Sequence, residues 1–472
     1  MEEKLSAENK SLIRIVLLLI MLAPGVLGWL VIDNGHDYRG DFAMYVSQAQ
    51  ALLNGTTQEL YEMNKFAMNN SDIRLGPYLY QMGFSVLLAG VLAVFGLNFY
   101  AMKGLCLGGL VLSIPLLFKL FRPHFKSTVE PLLIVTIIAV HSSYIIFCDS
   151  ILSDFPFLFF ILLAFILFSR KPTLLNQITL GFFIYFAYII RDIGIVLLPT
   201  LMVFQLHRFW LSSNLVSDKR IWVMPYLVFA FLMLIGLFAL PFGQENHFKE
   251  LFSNLSGTQL WETFKYYRWL INDFFYFSQN FQGFFYSIVL LTVLGCISMF
   301  KRVPHLVVYI GLSISILMIW PHKQGIRFLF PVLPFVLFFI MKGLQLVFEG
   351  LVVGRKIVLS LIGGFLVFSL VQGYPRIREY AERDTNQCYT KEMQAMYKYM
   401  ATEIPKGKLV GSYYPRVTRL FTGLNALRTG WNNPIIDYNQ TSKEHVDYTL
   451  EFFEVEFMAG NEVLTKRIKP AE

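Results

Sequence analysis

The chain has 472 residues, of which 55% are hydrophobic and only 15% charged, with 46 Phe, a mean hydropathy of +0.53 and a net charge of +8. Soluble proteins carry about 25% charged residues, so that class is excluded, and apolar runs near twenty residues recur from Leu12 to Gly373. They mark an all-α polytopic membrane protein. Its basic residues sit in short clusters between the runs, which sets nucleic acid aside as a partner.

The first run, Leu12 to Ile32, is too long for the core of a cleaved signal, and no small-x-small site follows it, so it reads as a span. Next comes HDYRGDFAMYVSQAQALLNG (36–55), which places Asp37 and Asp41 four residues apart at a helix start. Its apolar stripe is Phe42, Val46, Ala49 and Leu53, with Asp41, Tyr45 and Gln48 off it. Acids at such a start have an ordinary explanation, because they cap free amides and oppose the macrodipole. Chemistry above the membrane surface is the other explanation.

The remaining runs are 77–97, 99–121, 131–148, 155–169, 176–206, 221–241, 284–300, 305–320, 328–347 and 357–373. The basic clusters lie at Lys4/Lys10/Arg14, Lys119/Arg122/Lys126, Arg170/Lys171, Arg208/Lys219/Arg220, Lys301/Arg302 and Arg355/Lys356. Placing them all in the cytoplasm orders the spans. The run 176–206 then holds two short helices broken near Arg191-Asp192. A spanning 77–97 would invert every later cluster, so it reads as an interfacial or re-entrant helix with Pro77 in its first turn. Eleven spans result, with the N-terminus inside.

This gives a membrane domain over 1–373, whose outer loop 33–98 carries amphipathic or re-entrant helices, and an outer domain over 374–472. In that tail KEMQAMYKYM (391–400) reads as a helix, and KLVGSYY (408–414) and YTLEFFEV (448–455) as strands, so a small α/β domain is expected. It shows no nucleotide loop, zinc ligands or catalytic triad. The four Cys (106, 148, 296, 388) have no metal or CxxC spacing. No cofactor is expected.

The non-cytoplasmic charges then fall on the outer face: Asp37, Asp41, Arg74, Asp149, Asp154, Arg191, Asp192, His322, Lys323 and Arg327. Singly, each acid reads as a cap and each base as a headgroup anchor. Together they supply carboxylates and cations on one face, the mixture needed to deprotonate a hydroxyl beside a phosphate leaving group.

Five segments carry a resemblance to a known family. They are Asp41-x-x-x-Tyr45-x-x-x-Ala49 with Leu52-Leu53-x-Gly55; Arg74-Leu-Gly-Pro77-Tyr-Leu-Tyr80; Asp149-Ser-Ile-Leu-Ser153-Asp154-Phe-Pro156-Phe157; Arg327-Phe-Leu-Phe-Pro331-Val-Leu-Pro334; and, in the tail, Tyr414-Pro-Arg416 with Leu420-Phe-Thr-Gly423. In this order they resemble the GT-C glycosyltransferases, in particular bacterial relatives of protein O-mannosyltransferases and of lipid A aminoarabinose transferases. Gly76 stands where the family pattern has the first of two prolines.

The resemblance implies transfer of a sugar, with inversion, from a polyprenyl phosphate to a glycan, lipid or protein acceptor on the outer side of the cell membrane. By position it makes Asp41 the base, Asp37 the reserve one turn earlier, and Asp154 the second acid. It makes Arg74 and Arg327, with Lys323, the cations that meet the donor phosphate, and it adds Arg191, Asp149 and Tyr45 to the substrate-binding set. The Asp-x-x-x-Asp spacing gives no case for a metal. Two other classes fit a polytopic chain: an outer-face ligase or polymerase of whole glycans, and a lipid or solute transporter. A transporter usually places its charge near the midplane, in two related halves, and neither feature is present.

Overall fold

The computed structural model describes residues 7–38, 41–71, 76–211, 219–239, 256–278, 281–320, 322–349, 351, 353–428, 448–450 and 468–470. The described chain is mostly helical and divides into two compact units.

The first unit comprises Met1–Ile32, Lys103–Gly236 and Asn246–Arg383. Among the described residues of the chain, five helices are long and apolar enough to cross a membrane, or six if a bent pair counts as one span. They are Ser11–Val31, Phe99–His124, Asp192–Trp210, Gln282–Met299, Gly354–Ala381 and the pair Val129–Val140 with Ser142–Asp149. The other expected spans are shorter apolar helices. Large apolar side chains such as Leu12, Leu19 and Trp29 are left exposed, a surface that only hydrocarbon would cover at low cost.

Three helices differ from the sequence reading. The run 131–148 bends by 46° at His141, whose backbone is extended and whose ring accepts the Ser143 N–H at 3.2 Å. That ring also bonds the Phe274 carbonyl at 2.7 Å, 133 residues away, a contact invisible to local pattern. The expected helix 328–347 begins only at Leu333, after a tight turn over Ile326–Leu329. Pro331 and Pro334 lack the N–H that an interior turn must donate. The last helix runs past residue 373 to Ala381. The break at Arg191 falls where the sequence places it, between Leu174–Ile190 and Leu197–Leu211.

Two contacts set the site-bearing segments of this unit. Gln282–Met299 crosses Leu333–Val347 in backbone contact, since a Cβ on Gly295 would meet the Phe339 carbonyl oxygen at 1.9 Å. Near the start of Asp154–Phe168, Phe155 stacks on Phe330 at 5.4 Å, and the Tyr144 hydroxyl donates to the Phe330 carbonyl at 3.0 Å. Together they hold the turn that carries Arg327 against the helix that carries Asp154.

The second unit comprises Asp33–Met102, Leu237–Glu245 and Asp384–Glu472. Its helices are Phe42–Asn54, Thr57–Asn70, Met82–Phe95, Lys391–Glu403 and Pro415–Thr422. Its strands are β1 (Leu409–Ser412), β2 (Asn425–Leu427), β3 (Tyr448–Leu450) and β4 (Ile468–Pro470), in the order β2-β1-β3-β4. The pairs β1–β2 and β1–β3 are parallel and β3–β4 antiparallel. The sequence segment 451–455 lies outside the described residues.

In Phe42–Asn54 the expected stripe is buried at Phe42, Val46 and Ala49 but not at Leu53, which is half exposed. Tyr45 and Gln48 are buried too, so the covered face is wider than the stripe. The helix expected from Pro77 begins at Met82. Pro77 therefore precedes it, in a segment whose backbone is held by the Gln48 side chain: Tyr80 N–H donates to Gln48 Oε1 at 2.9 Å, and Gln48 Nε2 donates to Tyr80 O at 3.0 Å.

Candidate active site

In the second unit Asp41 stands at the N-cap of Phe42–Asn54, with φ −96° and ψ −2°, and its side chain makes no capping hydrogen bond. Its carboxylate accepts the Tyr80 hydroxyl at 2.7 Å. That hydroxyl accepts from Arg416 at 3.0 Å, and a second nitrogen of Arg416 donates to the Pro77 carbonyl at 3.0 Å. Burial pushes the Tyr80 hydroxyl up to about 12, with Arg416 drawing it down and Asp41 pushing it up. Tyr80 is therefore a protonated donor throughout the physiological range.

Asp37 is partly exposed, and its carboxylate lies 3.0 Å from Nδ1 of the buried His36, whose ring stacks on Phe42 at 3.9 Å. Tyr45 packs against Tyr80 at 5.0 Å and edge-on to Phe84 at 4.9 Å. Beside this group Arg419 is buried, donating to Asn64 Oδ1 and to the Ala426 carbonyl. Burial, then Arg416, draws Arg419 down to about 10. It braces Thr57–Asn70 to β2.

The departure at Gly76 has a structural reason. Its φ is +85°, a conformation closed to proline, whose ring fixes φ near −65°. Arg74 lies outside the described residues.

The first unit gathers a different set. Asp154 is the first residue of Asp154–Phe168 and pairs with Arg191 at the helix break. Asp154 is 3% exposed, and its second oxygen, Oδ2, is buried without a hydrogen-bond partner. The Arg191 guanidinium lies 4.5 Å from the Phe328 ring, and that of Arg327 lies 5.5 Å from the same ring. Arg327 also donates to Gln324. Lys323 stands 5.5 Å from the Tyr266 ring, and the Tyr266 hydroxyl accepts the Gly325 N–H at 2.7 Å. The three expected cations of this unit thus share one turn and its aromatic neighbours, and guanidinium forks suit phosphate oxygens.

Asp149 is held differently. Lys103 donates to one oxygen at 2.5 Å and the Tyr380 hydroxyl to the other at 3.1 Å, with Lys103 and Asp149 both buried. Sequence reading passed over Lys103, although a cation within the apolar run 99–121, away from the basic cluster at its end, is itself a signal. It also left Tyr80 and Arg416 without a role. Among the described residues no three His, Cys, Asp or Glu side chains converge as a metal site would need, and no step below requires a metal.

The profile of the Alg9-like mannosyltransferase family matches residues 273–394. No curated protein sequence matches the chain. Among solved structures, the chain is similar to the archaeal oligosaccharyltransferase AglB from Archaeoglobus fulgidus in complex with an inhibitory peptide and a dolichol-phosphate. That likeness has a TM-score of 0.57 at 11% identity and covers 94% of this chain and 70% of AglB. The same oligosaccharyltransferase tethered with an acceptor peptide containing the NVT sequon gives a TM-score of 0.61 at 11% identity, over 94% and 69%. ArnT from Cupriavidus metallidurans bound to undecaprenyl phosphate gives 0.55 at 11% identity, over 91% of this chain and 88% of ArnT. The chain shares its fold with these enzymes, and the resemblance to GT-C glycosyltransferases is borne out at the level of the fold.

Proposed function

We propose that this protein is a membrane glycosyltransferase that moves a sugar from a polyprenyl phosphate to an acceptor hydroxyl, with inversion, on the outer side of the membrane. The observation that carries the reading is Asp41. An acid at the N-cap that does not cap, and whose carboxylate is oriented by a neutral hydroxyl, has the form of a general base and not of a helix cap.

In this reading Asp41 takes the acceptor's hydroxyl proton as its oxygen attacks the anomeric carbon. The bond from that carbon to the phosphate oxygen breaks, and the electron pair leaves with the polyprenyl phosphate. By the family resemblance, not by any placement of the two units, the cations assigned to receive the charge that develops there are Arg74, Arg327 and Lys323, with Arg191 in the substrate-binding set. Asp154 fixes Arg191 and so acts as a positioning residue, Asp37 is the reserve base, and Asp149 and Tyr45 support the segments around them.

The test incubates purified protein in lipid vesicles with radiolabelled polyprenyl-phosphate sugars and an extract of envelope acceptors. Label should pass to an acceptor with wild-type protein and not with Asp41→Asn. Orientation is checked with single cysteines at positions 60 and 124 in a cysteine-free background. An impermeant thiol reagent should label only the first in intact cells, and labelling of the second alone would put the proposed face inside.

A further inference from the structure

We infer that Tyr80 and Arg416 are positioning residues that set the orientation and proton affinity of Asp41, so that a side chain of the tail segment 414–416 governs the chemical step. The inference rests on Asp41 being the base.

The geometry is directional. Arg416 can only donate, and it donates to the Tyr80 oxygen; Tyr80 uses its one proton on Asp41. A hydroxyl that accepts from a guanidinium becomes a stronger donor in its own right. Tyr80 is fixed from three sides. The wholly buried Gln48 grips its backbone in both directions, Tyr45 packs on its ring at 5.0 Å, and the Arg416 guanidinium lies 5.4 Å from the ring centre.

Arg416 makes no ion pair with a carboxylate among the described residues; its partners are the Tyr80 hydroxyl and the Pro77 carbonyl. Its charge therefore acts on the Tyr80–Asp41 bond. Beneath it, Gly76 turns the chain in the left-handed region, and a Cβ there would lie 3.6 Å from an Arg416 nitrogen. Two other charged groups bear on the arrangement: Asp37, held to His36 four residues before Asp41, and Arg419, one turn beyond Arg416.

A donor to a carboxylate favours its ionised form. Removing it makes Asp41 hold its proton to higher pH, so the acid limb of kcat/KM must move up. The test measures kcat, donor KM and the kcat/KM profile against pH for wild type, Tyr80→Phe, Arg416→Ala, Arg416→Lys and Asp41→Asn, using the radiolabelled polyprenyl-phosphate sugar that wild type transfers. Tyr80→Phe should raise the acid limb by about one pH unit, equivalent to about 1.4 kcal/mol. It should lower kcat about tenfold with donor KM unchanged. Arg416→Ala should shift the limb the same way by less, and Arg416→Lys should restore part of that shift. A wild-type limb in Tyr80→Phe, beside an inactive Asp41→Asn, overturns the relay and leaves the base standing. Loss of activity in Tyr80→Phe with a lowered melting temperature and an unmoved limb also overturns it, as a merely structural role. An active Asp41→Asn removes the base and the relay with it.

Discussion

Asp41 and Asp154 each open an apolar helix, yet the structure treats them in opposite ways. Asp154 is almost wholly buried and locked on a guanidinium. Asp41 is partly exposed and held by a neutral phenol. A carboxylate committed to an arginine organises that arginine; breaking such a buried pair leaves an uncompensated charge. A carboxylate oriented by a neutral hydroxyl is not neutralised by a fixed countercharge at that contact. In the proposed reading, two aspartates at helix starts divide into a base and a support according to the partner each one meets.

Substitutions can break or sharpen that division. The largest effect is expected at Asp41. Asn caps about as well as Asp, so a structural role predicts little loss. A base predicts a fall of roughly a hundred- to ten-thousandfold in kcat, measured as label transferred per time at saturating donor, with the protein still inserted. Next are Arg327→Ala and Arg191→Ala, which should raise donor KM about ten- to a hundredfold, the usual cost of a lost charged contact. Unchanged donor kinetics in both would make them interfacial anchors.

Asp154→Asn should follow the arginines and not Asp41. It should raise donor KM about tenfold while kcat holds, because its effect runs through Arg191; a collapse of kcat at normal KM would move the base to Asp154. Asp37→Asn should cost less than either, and if it alone abolishes transfer while Asp41→Asn is active, the base lies one turn earlier. The smallest effect is on stability. Gly76→Ala places a Cβ in the left-handed region, a strain of about 1–2 kcal/mol, read as a lowered melting temperature in detergent.

The apolar helices and the break at Arg191 were legible because apolar length is a property of short windows. The early start expected for the 77–97 helix was not, since Tyr80's backbone is captured by Gln48, 32 residues earlier. The bend at His141 depends on Phe274 in the same way. At the site, the candidates Asp41 and Arg327 come from the order of the family-like segments. The role of Arg416 was not legible there: it meets Tyr80 across 336 residues, and nothing near Tyr414-Pro-Arg416 announces an acid to be positioned. The opposite fates of Asp41 and Asp154 were also beyond reach, because both are acids at helix starts until their partners are known.

The most direct measurement is single-turnover transfer from a radiolabelled polyprenyl-phosphate sugar by wild type, Asp41→Asn and Asp154→Asn, each saturated with donor in lipid vesicles. The predicted result is rapid transfer by wild type, near-wild-type transfer by Asp154→Asn, and a rate at least a hundredfold slower for Asp41→Asn. Transfer by Asp41→Asn at the wild-type rate would contradict the assignment of Asp41 as the base.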